Sequence, residues 1–213
     1  MKTILCYGDS ITWGSDAGTG GRHAFEDRWP NVLQKALGPS VHVVADGLRG
    51  RTTAYDEHLA ACDRNGARIL PTSLYTHAPL DLVILLLGSN DMKPAIAGTA
   101  LAAMQGMRRL VEIVRLNATR DGSGEPPAVL IVAPPPLSET ADPEFAAMFA
   151  GGVEQSRMIA GFYADLADAE GCGFFDAGSV AQTTPLDGVH LDAANTRAIG
   201  KGLEPIARMM LGL

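Results

Sequence analysis

The 213-residue chain predicts an α/β protein: a three-layer α/β/α sandwich with a central, mainly parallel five-stranded sheet. Three observations carry this. Short apolar runs alternate with stretches of helical periodicity along most of the length. Two of those runs, LVILLL at 82–87 and VLIV at 129–132, are apolar without alternation, as strands covered on both faces are. The longest apolar run, 82–87, is strand-sized, so no stretch reads as a membrane span.

Residues 3–7 form the first expected strand, which ends at Gly8-Asp9-Ser10. A loop over 13–28 follows, with a flexible GTGG at 18–21. Residues 29–37 have helical spacing and stop at Gly38-Pro39. The second strand, 41–45, runs into Asp46-Gly47-Leu48-Arg49-Gly50. A short helix is expected around His58 in AYDEHLAAC, and a connection around His77. The third strand, 82–87, ends at Gly88-Ser89-Asn90-Asp91. Residues 99–117 repeat apolar positions at three and four and break off before a polar loop at 121–127. The fourth strand spans 128–133. A long helical region, 143–170, has a possible break at Gly151-Gly152. The fifth strand spans 173–175, and a closing helix runs over 192–211 with Asp192 as its N-cap.

Composition narrows the function. Apolar residues make up 46% and charged ones 19%, which suits one soluble domain over residues 1–213 with no linker or repeat. A formal net charge of -7 argues against a nucleic-acid partner, because phosphate contacts need a basic face. The N-terminus carries no basic start, apolar stretch and cleavage site in series, so a cytoplasmic location is expected, with no membrane partner. Cys6, Cys62 and Cys172 are odd in number and widely spaced; they read as reduced, buried small hydrophobes rather than disulfides or zinc ligands. No His/Cys/carboxylate cluster suggests a metal, and no phosphate-binding glycine loop suggests a nucleotide cofactor.

In a parallel sheet, ligands bind beyond the carboxyl ends of the strands. The chemistry-bearing residues fall there. Ser10, just after the first strand, is a nucleophile if a base reaches it, and otherwise part of a helix cap. Of five histidines, His23, His42, His58 and His77 read as structural or surface groups. His190 differs: Asp187 lies three residues upstream in Asp187-Gly188-Val189-His190, where one turn can aim its carboxylate at Nδ1. Taken alone, that spacing equally describes a turn acid beside a helix cap. The glycines of 46–50 permit close backbone approach, and Asn90 offers an amide; both are also ordinary turn residues. Jointly, four separate segments would supply the parts of one acyl-transfer machine at one edge of the sheet.

Gly8-Asp9-Ser10, the turn at Gly47–Gly50, Gly88-Ser89-Asn90-Asp91 and Asp187-Gly188-Val189-His190 resemble, in order, the four blocks of the SGNH (GDSL-type) hydrolases. The stretches ILCYGDSITWG, GLRGRTT, PLDLVILLLGSNDMK, APPPL and FFDAGSV look most like the bacterial arylesterase/acyltransferase branch. The resemblance implies a flavodoxin-like SGNH fold and roles for individual residues. Ser10 would be the nucleophile, His190 the general base and Asp187 its orienter. The Ser10 and Gly50 N–H groups, with the Asn90 side chain, would form the oxyanion hole. The second block departs from the family, which usually begins it with Asn where this chain has Asp46-Gly47; Gly50 still matches the donor glycine. The α/β-hydrolase elbow G-x-S-x-G is absent, since Thr12 stands two residues after Ser10.

The implied activity is hydrolysis of short-chain, acetyl-type esters, including aryl esters, with water or an alcohol as acceptor. Acyl transfer or perhydrolysis would be side reactions. A carbohydrate O-acetylesterase keeps the same residues and is the alternative. Trp13, Leu48 and Asp9 are the candidate substrate contacts, Trp13 as a wall restricting the acyl pocket or else a core aromatic. Asp9 and Asp91 also read as turn-holding groups. Phe145, Met148 and Phe149 would pack against a second subunit or face the sheet. The resemblance implies a homo-oligomer, as large as an octamer.

Overall fold

The five apolar runs form five strands: β1 (Lys2–Gly8), β2 (Val41–Gly47), β3 (Leu82–Leu86), β4 (Ala128–Ala133) and β5 (Gly173–Asp176). The computed structural model describes residues 1–119 and 124–213; part of the polar loop expected at 121–127 lies outside the described residues. The strand order is β2-β1-β3-β4-β5 and every pairing is parallel. Side chains alternate across the pleat, so each strand feeds two cores. Ile4, Cys6, Leu82, Ile84 and Leu86 pack under α2 (Trp29–Leu37) and α7 (Ala193–Leu211). Leu5, Tyr7, Val83 and Leu85 pack under α3 (Gly66–His77), α4 (Ala100–Asn117) and α6 (Gly152–Glu170). All nine of these side chains are fully buried, which is why their runs carry no polar alternation.

Helix ends follow their capping chemistry. Thr99 accepts from Ala102 N–H to start α4, and Asp192 accepts from Asn195 N–H at 2.8 Å to start α7. The expected helix over 143–170 is two helices. Asp142 caps α5 (Pro143–Met148), and Gly151, at φ +77°, turns the chain into α6.

Helix α3 was not expected. Glycine opens it and Pro71 sits inside it, and its buried positions are Gly66, Leu70, Ser73 and Leu74, so half its inner stripe is not apolar. The short helix expected around His58 is absent. Residues 54–62 form an irregular loop held from outside, with Asn65 Nδ2 donating to Ala54 O (3.2 Å) and Asp56 Oδ1 (2.7 Å). Cys62 lies in this loop and is exposed, and Cys172 is half-buried; of the three cysteines expected in the core, Cys6 alone is fully enclosed. Among the described residues no helix is long and apolar enough to cross a membrane.

The connections leave β1 and β3 toward opposite edges of the sheet. A crevice opens between their carboxyl ends, as at the switch point of any sheet with this strand order. Gly8 pairs with Leu86 across this gap, and α1 (Ser10–Trp13) begins there.

Candidate active site

Ser10 sits at the start of α1, capped by Asp9, whose carboxylate accepts from Ile11 N–H at 2.9 Å. The turn packs so tightly on β2 that a Cβ at Gly47 would lie 2.2 Å from Trp13 N. A glycine is therefore required there for Ser10 to reach the crevice. Arg51 locks the same corner. Its guanidinium donates to Gly8 O (2.9 Å), Asp46 O (2.6 Å) and Asp46 Oδ1 (2.8 Å) and lies 3.9 Å over the Tyr7 ring. The second Asp46 oxygen accepts from Ser73 Oγ at 2.5 Å. The acid at this family-variant position thus joins β2 to α3 and to Arg51.

His190 arrives from the loop before α7. Its Nε2 is 2.9 Å from Ser10 Oγ, and its Nδ1 is 2.6 Å from Asp187 Oδ2. The other Asp187 oxygen accepts from the N–H groups of Val189 and His190, both at 2.9 Å. Burial pushes the Asp187 carboxyl up, but the hydrogen bonds from the His190 side chain and from the two backbone N–H groups outweigh it and hold it below the usual carboxylate range. An ionised Asp187 can only accept, so Nδ1 carries the proton and Nε2 is left to accept from the Ser10 hydroxyl. His23, expected to be structural, is buried and bonds Leu191 O through Nε2 at 2.9 Å, which anchors the same loop.

Asn90, just after β3, points its amide at Arg51 O (3.2 Å) and Asp9 Oδ2 (3.4 Å). Gly50 stands at φ +80°, and among the described residues its N–H meets no acceptor. Ser10, Gly50, Asn90 and His190 line one cavity of about 370 Å³. Its other lining residues are the apolar Phe145, Met148, Phe149 and Val189 and the cationic Arg49, Arg64 and Lys93. A smaller cavity of about 170 Å³ shares Phe145, Phe149 and Val189 with it.

Three expected substrate contacts are not among the residues that line this cavity. Asp9 is fully buried behind Asn90 and Ile11 and does not reach the cavity. Leu48 uses its backbone to close the turn, donating to Gly8 O and accepting from Arg51 N–H, and its side chain does not line the cavity. Trp13 also stands outside it; two guanidinium groups, Arg22 at 4.7 Å and Arg49 at 5.3 Å, lie over its ring. The aromatic wall comes from α5 instead, where Phe145 meets the His190 ring edge-on at 6.1 Å and stacks near Phe149. Sequence spacing cannot see this wall, because it depends on how α5 folds back over the strand ends. Arg49 and Lys93 flank Gly50 and Asn90 in the chain and were findable from that; Arg64, fourteen residues beyond Gly50, carried no local signal.

Asp9 and Asp91 form a second acidic layer beneath the cavity. Burial raises both carboxyls: Asp9 to about 6, opposed by the Ile11 N–H bond and the nearby His190 and Arg51, and Asp91 to about 7, opposed by its hydrogen bonds from Thr53. A carboxyl raised above its unfolded value of about 4 stabilises the fold fully below that pH, and the contribution is lost as pH rises through the folded value. Wild-type protein is expected to lose more stability than Asp91→Asn between about pH 4 and pH 7. Urea midpoints for both proteins at the two pH values check this; a difference between them that does not change with pH would count against it.

A serine hydroxyl, an imidazole and a buried carboxylate in series, at the switch point of a parallel sheet, is the arrangement of a serine hydrolase. The sequence model of the GDSL-like Lipase/Acylhydrolase family matches residues 6–198, and the chain belongs to that family. It is a carboxylic ester hydrolase. A carbohydrate acetylesterase family member from Sinorhizobium meliloti is 69% identical with a TM-score of 0.98, over 100% of both chains. An aryl esterase from M. smegmatis is 42% identical with a TM-score of 0.92, over 99% of this chain and 100% of that one. A comparison with curated protein sequences found no match.

Proposed function

We propose that the protein hydrolyses short-chain, acetyl-type esters, aryl esters among them, through an acyl-enzyme on Ser10. The observation that carries this is the unbroken chain from Asp187 through His190 to Ser10, with contacts of 2.6 and 2.9 Å. Ser10 Oγ attacks the ester carbonyl while His190 Nε2 takes its proton. Asp187 stabilises the imidazolium that forms, and the imidazolium then protonates the departing alcohol. The oxyanion forms against Ser10 N–H, Gly50 N–H and the Asn90 amide, whose 3.4 Å contact to Asp9 is long enough to yield to a better acceptor. Water attacking the acyl-enzyme completes hydrolysis; an alcohol or peroxide in its place gives transfer or perhydrolysis.

The cavity volume of about 370 Å³ supports small acyl groups, since it lies at the low end of the ~300–1,000 Å³ range of ligand sites. Self-association into a homo-oligomer belongs to the same proposal and rests on the resemblance to the family; so does a cytoplasmic location, which rests on the three sparse, unpaired cysteines. The second reading, a carbohydrate O-acetylesterase, is favoured by the identity with the Sinorhizobium meliloti protein. Measuring kcat/KM on p-nitrophenyl acetate and on an acetylated monosaccharide, side by side, separates the two. The aryl acetate is expected to be turned over with either assignment, and the sugar ester at comparable efficiency only under the second. Asn90→Ala is expected to lower kcat on the aryl ester by about 10²–10³, and a near-unchanged rate would reject Asn90 as an oxyanion donor.

A further inference from the structure

The cavity lining is mixed in character. Phe145, Met148, Phe149 and Val189 supply its apolar lining, while Arg49, Arg64 and Lys93 supply a cationic lining. Among the described residues no carboxylate lines it, in a chain whose formal net charge is -7. Among the described residues these three cations have one carboxylate ion-pair partner, Glu57. Glu57 is shared between two cations, at 2.8 Å from Arg64 and 3.9 Å from Lys93. Asp9 and Asp91, which also act on Lys93, are both fully buried, and Asp187 is committed to His190. Among the described residues no carboxylate pairs with Arg49; its guanidinium lies over Trp13.

Lys93 is the more telling of these. Its side chain is 10% exposed and its ammonium lies 5.6 Å over the Phe149 ring. An aliphatic side chain would occupy that position without the cost of desolvating a charge. The ammonium is instead held at the wall of the cavity, beside Asn90.

We propose that this site selects esters that carry a carboxylate, on either the acyl or the alcohol part, with Arg49 and Lys93 receiving the charge beside the oxyanion donors. The inference rests on the ester-hydrolase reading and names its substrate class. The bond chemistry at Ser10 is unchanged; the second carboxylate is bound and does not react. Arg64, which covers Gly50 so closely that a Cβ there would lie 2.7 Å from its guanidinium, adds to the field while holding the donor loop.

Two matched pairs of esters test this. 4-Acetoxybenzoate against its methyl ester places the charge on the alcohol part. The monophenyl ester of adipic acid against phenyl hexanoate places it on the acyl part. Each kcat/KM is divided by that ester's own hydroxide rate, which removes leaving-group effects. At low ionic strength one charged ester is expected to be favoured by about tenfold over its neutral partner, and the favoured pair identifies the side that the cations read. The preference is expected to shrink toward unity in about 0.5 M salt, where charges are screened within a few ångströms. Arg49→Gln and Lys93→Met are each expected to reduce the charged-to-neutral ratio several-fold. Equal rates within both pairs would overturn the proposal. So would variants that lower charged and neutral esters alike, which would make these cations general stabilisers of the oxyanion. Should Lys93→Met fail to fold, the salt dependence of the wild-type ratio decides. No turnover of any of the four esters would overturn the ester-hydrolase reading itself.

Discussion

Asp187→Asn is expected to lower kcat on p-nitrophenyl acetate by about 10⁴ while leaving the fold intact. The reason lies in how the carboxylate is held. Its Oδ1 accepts two backbone N–H groups, from Val189 and His190, and only an oxygen can do so. An asparagine would therefore keep its oxygen at that position and turn its NH₂ toward His190 Nδ1, which lies 2.6 Å from Oδ2. Nδ1 must then present its lone pair, and the ring proton moves to Nε2. The imidazole faces Ser10 as a donor and cannot take the serine proton. A variant with near-native thermal stability and collapsed kcat would support this; one retaining more than about a tenth of wild-type kcat would reject Asp187 as the group that sets the tautomer. The wild-type carboxyl is held below its ordinary range, so Asp187 stays ionised down through the mildly acidic range. Rate loss on acidification from neutrality to about pH 5 therefore titrates another group.

Ser10→Ala is expected to have the largest effect, a loss in kcat of about 10⁶. Ser10 Oγ has one hydrogen-bond partner among the described residues, His190, so the substitution removes the attacking atom with little change in packing. Its backbone is untouched, including the carbonyl that accepts from Gly14 and Ser15. A serine-directed fluorophosphonate should label wild type and leave the variant unlabelled. Equal hydrolysis by the two proteins would leave Ser10 as the first residue of a capped turn and nothing more.

Most of the secondary structure was legible in the chain because its signals are local. LVILLL and VLIV, apolar without alternation, are what strands covered on both faces look like, and Gly38-Pro39 is a helix stop signal. Asp192 capped the last helix as its position indicated. The element that was missed, α3, is the one whose buried face is built from Gly66 and Ser73 as much as from leucines. Periodicity reports apolar stripes, and a face packed through small residues leaves none.

The candidate site divides in the same way. Ser10, Asn90, Asp187 and His190 were marked by their positions after strand ends and before a helix, which is information carried by a few adjacent residues. Their meeting was decided only in three dimensions. Ser10 and His190 are 180 residues apart, and they touch because β1 and β3 are neighbours and the loop before α7 returns over their ends. The direction of each side chain was likewise beyond reach. Trp13 follows Ser10 so closely that it looked like a pocket wall, yet the tight packing of α1 on Gly47 goes with a ring under Arg22 and Arg49, outside the cavity. Phe145 and Phe149 looked like a subunit contact or sheet packing, and the break at Gly151 sets α5 beside His190. Sequence determined which residues the strands would deliver to one edge, because strand and turn chemistry is local. Tertiary packing decided which of them face the same space, because that depends on contacts between segments far apart in the chain.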